Sequence, residues 1–384
     1  MTEKLKVLVV DDEPFNVDYL VQELEEYDVD TLTAEDGVQA LKQIADHSPD
    51  LVLLDIMMPQ KDGFQVLTEM KADAEFRDIP VIIISAHSDM ENILKGIELG
   101  AEDYLPKPFD PLLLEARVNA SLDKKRFRNL EKKYFASIQR ELKIGKEIQA
   151  DFLPEQIPSV DGWQIEVFFQ AAKEVSGDFY DVFELPNGKL VVAVGDVTDK
   201  GVGSALYMAL YRSLIRAFLL DAALNEDTSI EKRLLHAINQ TNAYICNQHE
   251  EPRFLTLFIG ILDPSSGKLD YVSAGHDHPF LLGAKKALQE IKPTGPIIGM
   301  LEEAEFKVQQ LSINADNLLF IYTDGAIDAM NDQEERFGTE RLKELAAIDS
   351  NPETLVEKIK QTYKDYSGLA DQFDDLTFLV IKRD

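Results

Sequence analysis

The first 122 residues show a regular pattern of hydrophobic and polar positions. Runs composed almost wholly of apolar residues cover positions 5–10, 51–54 and 80–84, and amphipathic stretches separate them. Strands that are apolar along their whole length are typical of a parallel sheet covered by helices on both faces. Five strand and helix pairs of this kind predict an α/β doubly wound domain with a five-stranded parallel sheet over residues 1–122.

A second pattern follows in residues 123–155, which are rich in Lys, Glu, Arg, Gln and Leu. The segment predicts a helical linker, with Gly145 as its one interior glycine. An apolar seam with 3,4 spacing is formed by Phe135, Ile138, Leu142, Gly145, Gln149 and Phe152. The seam is short, so a homodimer through a coiled coil and a helix packed on its own chain are both compatible with it.

Residues 156–384 change to longer strands joined in hairpins. Strands are expected at 163–170, 178–184, 189–195, 254–263, 268–273, 280–282, 306–311, 317–323 and 375–382. Turn sequences at 186–188 and 264–267 join neighbouring strands, as antiparallel sheets require. With amphipathic helices at 203–221 and about 229–248, the pattern predicts an α+β sandwich of two antiparallel sheets flanked by helices. The order of the strands does not follow from the sequence.

Composition narrows the range of functions. The 384 residues are enough for two domains, and 39 basic against 70 acidic residues give a net charge of −31. Such a charge would repel nucleic acid and anionic membranes, so neither is an expected partner. A single cysteine, Cys246, cannot form an internal disulfide, and no apolar run is long enough to span a membrane. We therefore expect a soluble, unprocessed, cytoplasmic protein.

Polar residues follow the buried strands of the first domain. Asp11 and Asp12 follow the first, Asp55 and Ser85 follow two others, and Lys107 lies at the end of the last. Because ligands of doubly wound sheets bind at the carboxyl ends of the strands, these side chains should converge on one edge. Three carboxylates there are the hard oxygen ligands that Mg²⁺ prefers. The plain alternative for Asp12 is that it caps the helix that follows it.

Residues 4–122 resemble the receiver domain of two-component response regulators. The motifs that carry the resemblance are Val9-Val10-Asp11-Asp12-Glu13-Pro14, Asp55-Ile56-Met57-Met58-Pro59, Asp62-Gly63, Ser85-Ala86 and Lys107-Pro108-Phe109.

The resemblance implies a role for each residue at this edge. Asp55 would accept a phosphoryl group from a histidine kinase or phosphotransfer protein, and would hold Mg²⁺ together with Asp11 and Asp12. Lys107 would contact the phosphoryl oxygens, and Ser85 and Tyr104 would form the switch pair. The family also implies a cis peptide bond between Lys107 and Pro108.

Four acidic motifs in the last two thirds of the chain resemble those of the protein phosphatase 2C superfamily. The resemblance covers residues 141–382 and points to the bacterial branch that acts on regulators of sigma factors. The motifs are Val175-Ser176-Gly177-Asp178-Phe179-Tyr180-Asp181, Val194-Gly195-Asp196-Val197-Thr198-Asp199-Lys200-Gly201, Tyr322-Thr323-Asp324-Gly325 and Phe373-Asp374-Asp375-Leu376-Thr377.

By this resemblance the second domain binds two Mn²⁺ or Mg²⁺ ions. Asp196 would bridge the two ions, the Val197 carbonyl would bind one of them, and Asp324 and Asp374 would bind the other. Asp178 would bind metal directly or through water. The group that grips the substrate phosphate stays unassigned, with Lys173 as a weak candidate.

Other polar residues near these motifs have ordinary explanations. Asp181, Asp199 and Asp375 fit hydrogen-bonded positions in turns or at strand edges. A histidine beside glycine and proline in a loop, as at His276 and His278, is more often structural than catalytic.

Together the two halves predict a response regulator that acts as a metal-dependent serine/threonine phosphatase. Its substrate would be a phosphorylated partner protein such as an anti-sigma-factor antagonist, and phosphorylation of Asp55 would control the activity. The alternative is a catalytically silent, phosphatase-like adaptor that binds a regulatory protein under receiver control. A DNA-binding regulator is disfavoured by the net charge and by the lack of a basic recognition helix.

Overall fold

The computed structural model describes residues 4–27, 29–86, 90–223, 228–248, 253–283, 287–368, 370 and 372–384. The chain divides into two compact units, Met1–Ile138 and Gln139–Asp384. Each unit has its own apolar cores.

The first unit contains one five-stranded sheet. Its elements are β1 (Leu5–Val10), α1 (Pro14–Leu24), β2 (Val29–Ala34), α2 (Gly37–His47), β3 (Leu51–Asp55), α3 (Gly63–Ala72), β4 (Val81–Ala86), α4 (Met90–Glu98), β5 (Asp103–Lys107) and the beginning of α5 (Pro111–Ala150). The strand order is β2-β1-β3-β4-β5, and every pairing is parallel. The predicted doubly wound fold is confirmed.

Apolar cores cover both faces of this sheet. One core joins the sheet to α2 and α3, and the other joins it to α1 and the start of α5. In α5, Leu114, Val118 and Leu122 recur every fourth residue and are buried against the sheet. The two cores explain why β1 and β3 are apolar at nearly every position.

The second unit contains two antiparallel sheets. Its strands are β6 (Trp163–Gln170), β7 (Asp178–Glu184), β8 (Leu190–Val197), β9 (Leu255–Asp263), β10 (Lys268–Ala274), β11 (Phe280–Leu282), β12 (Leu288–Glu290), β13 (Gln309–Ser312), β14 (Leu318–Tyr322) and β15 (Leu376–Arg383). Its helices after α5 are α6 (Val202–Ala223), α7 (Ile230–Gln248), α8 (Gly325–Asp328), α9 (Thr339–Ala346) and α10 (Pro352–Ser367). The sheets have the orders β13-β10-β9-β8-β7 and β12-β11-β14-β15-β6.

Three cores arrange these elements as a sandwich. Apolar residues from the inner faces of both sheets form one core, including Val192 and Leu262 from one sheet and Leu319 and Ile381 from the other. The helices α6 and α7 pack on the outer face of the first sheet, and α9 and α10 pack on that of the second. The predicted α+β sandwich with flanking helices is confirmed.

The sequence pattern underestimated the helices of this unit. Besides the two helical regions expected, α9 and α10 are present, and the second begins with Asn351 as N-cap and Pro352 at the first turn. The strand expected at 306–311 is instead β13, Gln309–Ser312. Phe306 is buried in the core beside the helices α6 and α7 rather than in a strand.

The predicted linker helix is part of α5, which runs without a break to Ala150. The C-terminal part of the apolar seam does not pack against a second helix as in a coiled coil. Gln149 is buried, and its side chain bonds to the backbone of Ser176, while Gly145 lies near Val175. This end of the seam therefore packs on its own chain. No helix within the described residues combines the length and apolar character needed to cross a membrane.

Candidate metal and phosphate sites

The strand ends of the first unit bring three carboxylates together. Asp11 and Asp12 follow β1, and Asp55 is the last residue of β3, the neighbouring strand. Ligand oxygens of the three lie within 4.8 Å of one another. Within the described part of the chain, no other three acidic, histidine or cysteine side chains meet this distance.

Lys107 supplies the positive charge beside this cluster. Its Nζ lies 2.8 Å from Oδ2 of Asp11 and 3.0 Å from Oδ2 of Asp55. Burial raises the pKa of Asp55, and Lys107 partly offsets the rise. Three hard oxygen ligands with only one basic partner fit a divalent cation such as Mg²⁺.

The two switch candidates lie on neighbouring strands of the same sheet. Ser85 is buried near the end of β4, and Tyr104 is half-buried on β5. The Tyr104 ring packs against the core between the sheet and α2 and α3, and the Arg117 guanidinium carbon lies 5.9 Å from the ring centroid. The peptide bond between Lys107 and Pro108 is cis, as expected.

The four aspartates of the second unit come from two sheets. Asp178 begins β7 and pairs directly with Asp196 of β8, in the first sheet. Asp324 follows β14 and Asp374 precedes β15, in the second sheet. The strands β14 and β15 are neighbours, so each sheet contributes two acids from adjacent strands.

Hydrogen bonds across the sandwich join the two pairs. Oδ2 of Asp178 accepts a bond from the hydroxyl of Thr323 at 2.7 Å and one from the hydroxyl of Thr377 at 2.5 Å. Thr323 directly precedes Asp324, and Thr377 lies three residues after Asp374. The four aspartates therefore lie at the same edge of the sandwich.

The four aspartates influence one another's ionisation. The pKa of Asp196 is raised to about 7 by burial and by the charges of Asp324 and Asp374. Burial and Asp374 raise the pKa of Asp324 to about 6, and burial and Asp196 raise that of Asp178 well above its usual value. Buried carboxylates that oppose one another's ionisation are the donor set that divalent cations stabilise. The chemistry of these carboxylates therefore suits the implied metals, while no three of the four aspartates have oxygens within 4.8 Å of one another among the described residues.

Backbone close to the acids is tightly packed. Val197 is buried, and its carbonyl oxygen would lie 2.7 Å from a Cβ placed on Gly177, so only glycine fits there. The Asp375 carboxylate accepts bonds from the backbone N–H groups of Ala172 and Gly177 at 2.7 and 2.8 Å. Asp375 therefore orders the loop before Asp178, in agreement with its expected hydrogen-bonded role.

Two polar residues near this site have structural roles, as expected. Asp181 lies on the edge strand β7, where Arg212 and Arg216 of α6 both pair with it, at 3.1 and 2.9 Å. Burial lowers the pKa of His276 to about 3, and its Nδ1 lies 3.1 Å from the hydroxyl of Thr256. This agrees with a structural histidine.

The basic group beside the acids is Lys200 rather than Lys173. Both lysines are exposed, but Nζ of Lys200 lies 2.9 Å from Oδ2 of Asp374, and among the described ion pairs none joins Lys173 to the four aspartates. The sequence places Lys200 four residues after Asp196, in the same motif, and this position could have identified it as a basic residue near the acids.

Comparison with known proteins matches the N-terminal and C-terminal parts of the chain to two different families. The family of Stage II sporulation protein E (SpoIIE) matches residues 186–384, and the response regulator receiver domain matches residues 7–119. Protein IcfG of Synechocystis sp. is 37% identical over 262 residues, which are 63% of this chain and 41% of IcfG. The probable transcriptional regulator ycf27 of Guillardia theta is 44% identical over 119 residues, 31% of this chain and 46% of ycf27. The chain thus spans less than half the length of these relatives.

Solved structures resemble the second unit. The SiaA-PP2C domain of Pseudomonas aeruginosa matches with a TM-score of 0.56 and 20% identity, over 65% of this chain and 99% of that one, which shows a common fold. The RsbU and RsbW domains of Rv1364c from Mycobacterium tuberculosis match with a TM-score of 0.50 and 25% identity, over 60% of this chain and 63% of theirs. Because the SpoIIE match spans more than half of the chain, this protein belongs to the Stage II sporulation protein E family and carries a response regulator receiver domain in its N-terminal part.

Proposed function

We propose that this protein is a two-component response regulator whose output is hydrolysis of phosphoserine or phosphothreonine on a partner protein. The observation that carries the proposal is the joining of Asp178 to Thr323 and Thr377, which brings acids from two sheets to one edge. Membership of a phosphatase-type family and the PP2C-like fold support it.

The second unit would work with two Mn²⁺ or Mg²⁺ ions, which when bound lower the pKa of a water molecule and neutralise the phosphate. Asp196 is proposed as the bridging ligand, with the Val197 carbonyl, Asp324 and Asp374 as further ligands. The two threonine hydroxyls hold Asp178 in place, because both of them donate to its Oδ2. No side chain of the protein has to act as the nucleophile.

In the receiver unit, Asp55 is the proposed phosphoryl acceptor. A carboxylate is a competent nucleophile for phosphoryl transfer when neighbouring cations reduce the charge on the transferred group. Lys107 already contacts Asp55, so it can move to a phosphoryl oxygen with little displacement. The phosphoryl donor would be a histidine kinase or a phosphotransfer protein.

The helix α5 gives a route by which the receiver could control the phosphatase. It begins in the first unit and ends in the second, where Gln149 bonds to both backbone groups of Ser176, at 2.7 and 2.9 Å. The backbone N–H of Asp178 in turn donates to Oγ of Ser176 at 3.0 Å. A displacement of the end of α5 would therefore move Ser176 and, through it, the backbone of Asp178, which is a proposed metal ligand.

The substrate proposal rests on the resemblance to the branch that acts on sigma-factor regulators. A phosphorylated anti-sigma-factor antagonist is the favoured substrate, and the similarity to the RsbU and RsbW domains of Rv1364c is in keeping with it.

Phosphate release from a phosphorylated antagonist and from a generic aryl phosphate tests the activity. We expect release that depends on Mn²⁺ and falls by about 100-fold or more in Asp196→Asn, since the variant loses the bridging carboxylate. Asp270→Asn is the matched control, because the Asp270 side chain accepts a bond from Gln310 and β10 is separated from β8 by β9. Binding of the antagonist without turnover by the parent protein would favour the silent adaptor instead.

Control by the receiver is tested separately. Rates are compared with and without a small-molecule phosphodonor, in the parent and in Asp55→Ala. We expect the phosphodonor to change the rate in the parent alone, because only the parent can be phosphorylated at Asp55. Equal rates in all four measurements would contradict receiver control while leaving the phosphatase proposal intact.

A further inference from the structure

Lys200 occupies an unusual position beside the four acids of the second unit. It lies in the loop between β8 and α6, and its Nζ is 2.9 Å from Oδ2 of Asp374. The same ammonium bonds to the carbonyl of Phe373 and lies 4.0 Å from the centre of the Phe373 ring. Its side chain is 30% exposed, so the charge remains accessible to solvent.

The loop backbone holds Lys200 in this place. The residues on either side, Asp199 and Gly201, both have positive φ, at 72° and 91°. Asp199 is further fixed by an ion pair with Arg253. A left-handed φ is costly for a residue other than glycine, so the ion pair of Asp199 helps to stabilise an uncommon conformation of the loop next to Lys200.

No other basic side chain in the described residues is ion-paired with these aspartates. Of the four, Asp374 alone has such a partner, and that partner is Lys200. Arg253 is close in the fold, but its guanidinium bonds to Asp199, which is not one of the four. Lys200 is therefore the cation best placed to meet an anion at this site.

The partner of Lys200 should change once divalent cations are held by Asp374. The cations neutralise the carboxylate and repel the ammonium, so the ion pair weakens. A phosphoryl group at the same cations offers new negative oxygens nearby. A lysine is well suited to this exchange because its ammonium is a point charge on a flexible four-carbon stem.

We propose that Lys200 binds the phosphoryl group of the substrate, exchanging the Asp374 carboxylate for a phosphate oxygen. The inference rests on the proposed phosphatase function and deepens it, because it assigns the phosphate-gripping group that sequence reasoning left open. Lys200 would contact the phosphoryl group directly, whereas the aspartates would hold the metal ions.

Inorganic phosphate, the expected product, is the probe. Its binding to the Mn²⁺-loaded full-length protein is measured by calorimetry, alongside its inhibition constant in the turnover assay. We expect Lys200→Gln to weaken phosphate binding by about tenfold or more, since a charge-assisted hydrogen bond is lost. Lys200→Arg should retain most of the affinity, and Mn²⁺ should bind Lys200→Gln at least as tightly as the parent.

Lys189→Gln is the matched control. Lys189, at the β7–β8 turn, is also an ion-paired lysine with a similar side-chain exposure, 24%. Its Nζ lies 3.0 Å from Oδ2 of Asp263. The Lys189→Gln variant should bind phosphate as the parent does. This control tests the same loss of charge at a position away from the acid cluster.

The outcomes separate this inference from the proposed function. Unchanged phosphate binding in Lys200→Gln would overturn the inference and reduce Lys200 to a counter-ion of Asp374, even if the parent hydrolyses phosphoproteins. Absence of Mn²⁺-dependent phosphate binding in the parent would also overturn it. Loss of phosphate binding in Lys200→Gln, in a parent that shows no turnover, would uphold the Lys200 site and reject the phosphatase function.

Discussion

Asp196 and Asp324 have raised pKa values, about 7 and about 6, because burial disfavours their charged forms and neighbouring carboxylates oppose their ionisation. In the unfolded chain both would ionise near pH 4. The folded protein therefore binds more protons between about pH 4 and 7, and its free energy of unfolding should fall as the pH rises through this range. Added Mn²⁺ should reverse this loss, since it stabilises the ionised form.

Urea unfolding of the metal-free protein at pH 5 and pH 8, beside Asp196→Asn, measures this effect. We compare the free energy of unfolding of the variant with that of the parent at each pH. The difference in favour of the variant should increase by on the order of a few kcal/mol from pH 5 to pH 8. The comparison cancels His276, whose lowered pKa works in the opposite direction over part of this range. A constant difference between the two proteins would show that Asp196 ionises normally.

Individual residues differed in how far their surroundings could be predicted. The placement of Asp11, Asp12 and Asp55 followed from strand ends of a parallel sheet, which meet at one edge whatever the details of packing. The partners of Asp178 did not, because Thr323 and Thr377 are far along the chain and lie on another sheet. Only the folded sandwich brings such hydroxyls to a carboxylate.

The end of α5 is attached to the second unit by polar contacts rather than by an apolar seam. Gln149 is buried, and both of its amide atoms bond to the backbone of Ser176. We expect Gln149→Leu to lower the free energy of unfolding by about 2–3 kcal/mol, because two buried backbone groups lose their partners. Mn²⁺ affinity should fall as well, since Ser176 positions the Asp178 backbone.

Chemical denaturation and Mn²⁺ calorimetry check this prediction. Gln139→Leu, an exposed position on the same helix, is the control for the change in side chain. If Gln149→Leu matches the control in both measurements, the attachment has no energetic weight. It would then be a poor candidate for transmitting the state of Asp55.

Strands and hairpins were predicted better than helices in the second unit. The strands β6, β7 and β11 were expected with the residues they have, because alternation and turn sequences fix both ends. The helix α10 has an N-cap and a proline that mark its start, and its buried residues Leu355, Val356, Ile359 and Tyr363 follow helical spacing. The sequence therefore contained the signals of this helix, whereas its packing on the second sheet could not be predicted.

Considered whole, the chain consists of two units with separate cores. We expect residues 1–138, expressed alone, to fold cooperatively and bind Mg²⁺ with the affinity of the full chain, because Asp11, Asp12 and Asp55 all lie within this unit. Mg²⁺ titrations of the fragment and the full chain, with Asp12→Asn as a non-binding control, check the expectation. A fragment that needs the rest of the chain to bind Mg²⁺ would contradict it.

The division into a parallel and an antiparallel part was visible in the period of the apolar positions, but the order of the strands was not. In the receiver unit the order is β2-β1-β3-β4-β5, one of the common orders of doubly wound sheets. In the second unit, neighbours such as β6 and β15 are separated by most of the unit's length. Pairing over such distances depends on closure of the whole sandwich, so local sequence contains no sign of it.

The position of β15 has a consequence for synthesis of the protein. This strand lies between β14 and β6, and the acids Asp374 and Asp375 lead into it. While a ribosome is still translating the segment before Leu376, the second sheet lacks the interior strand that joins β14 to β6. A nascent chain can thus complete the receiver unit, whose residues all precede Gln139, before the second sheet of the other unit can close.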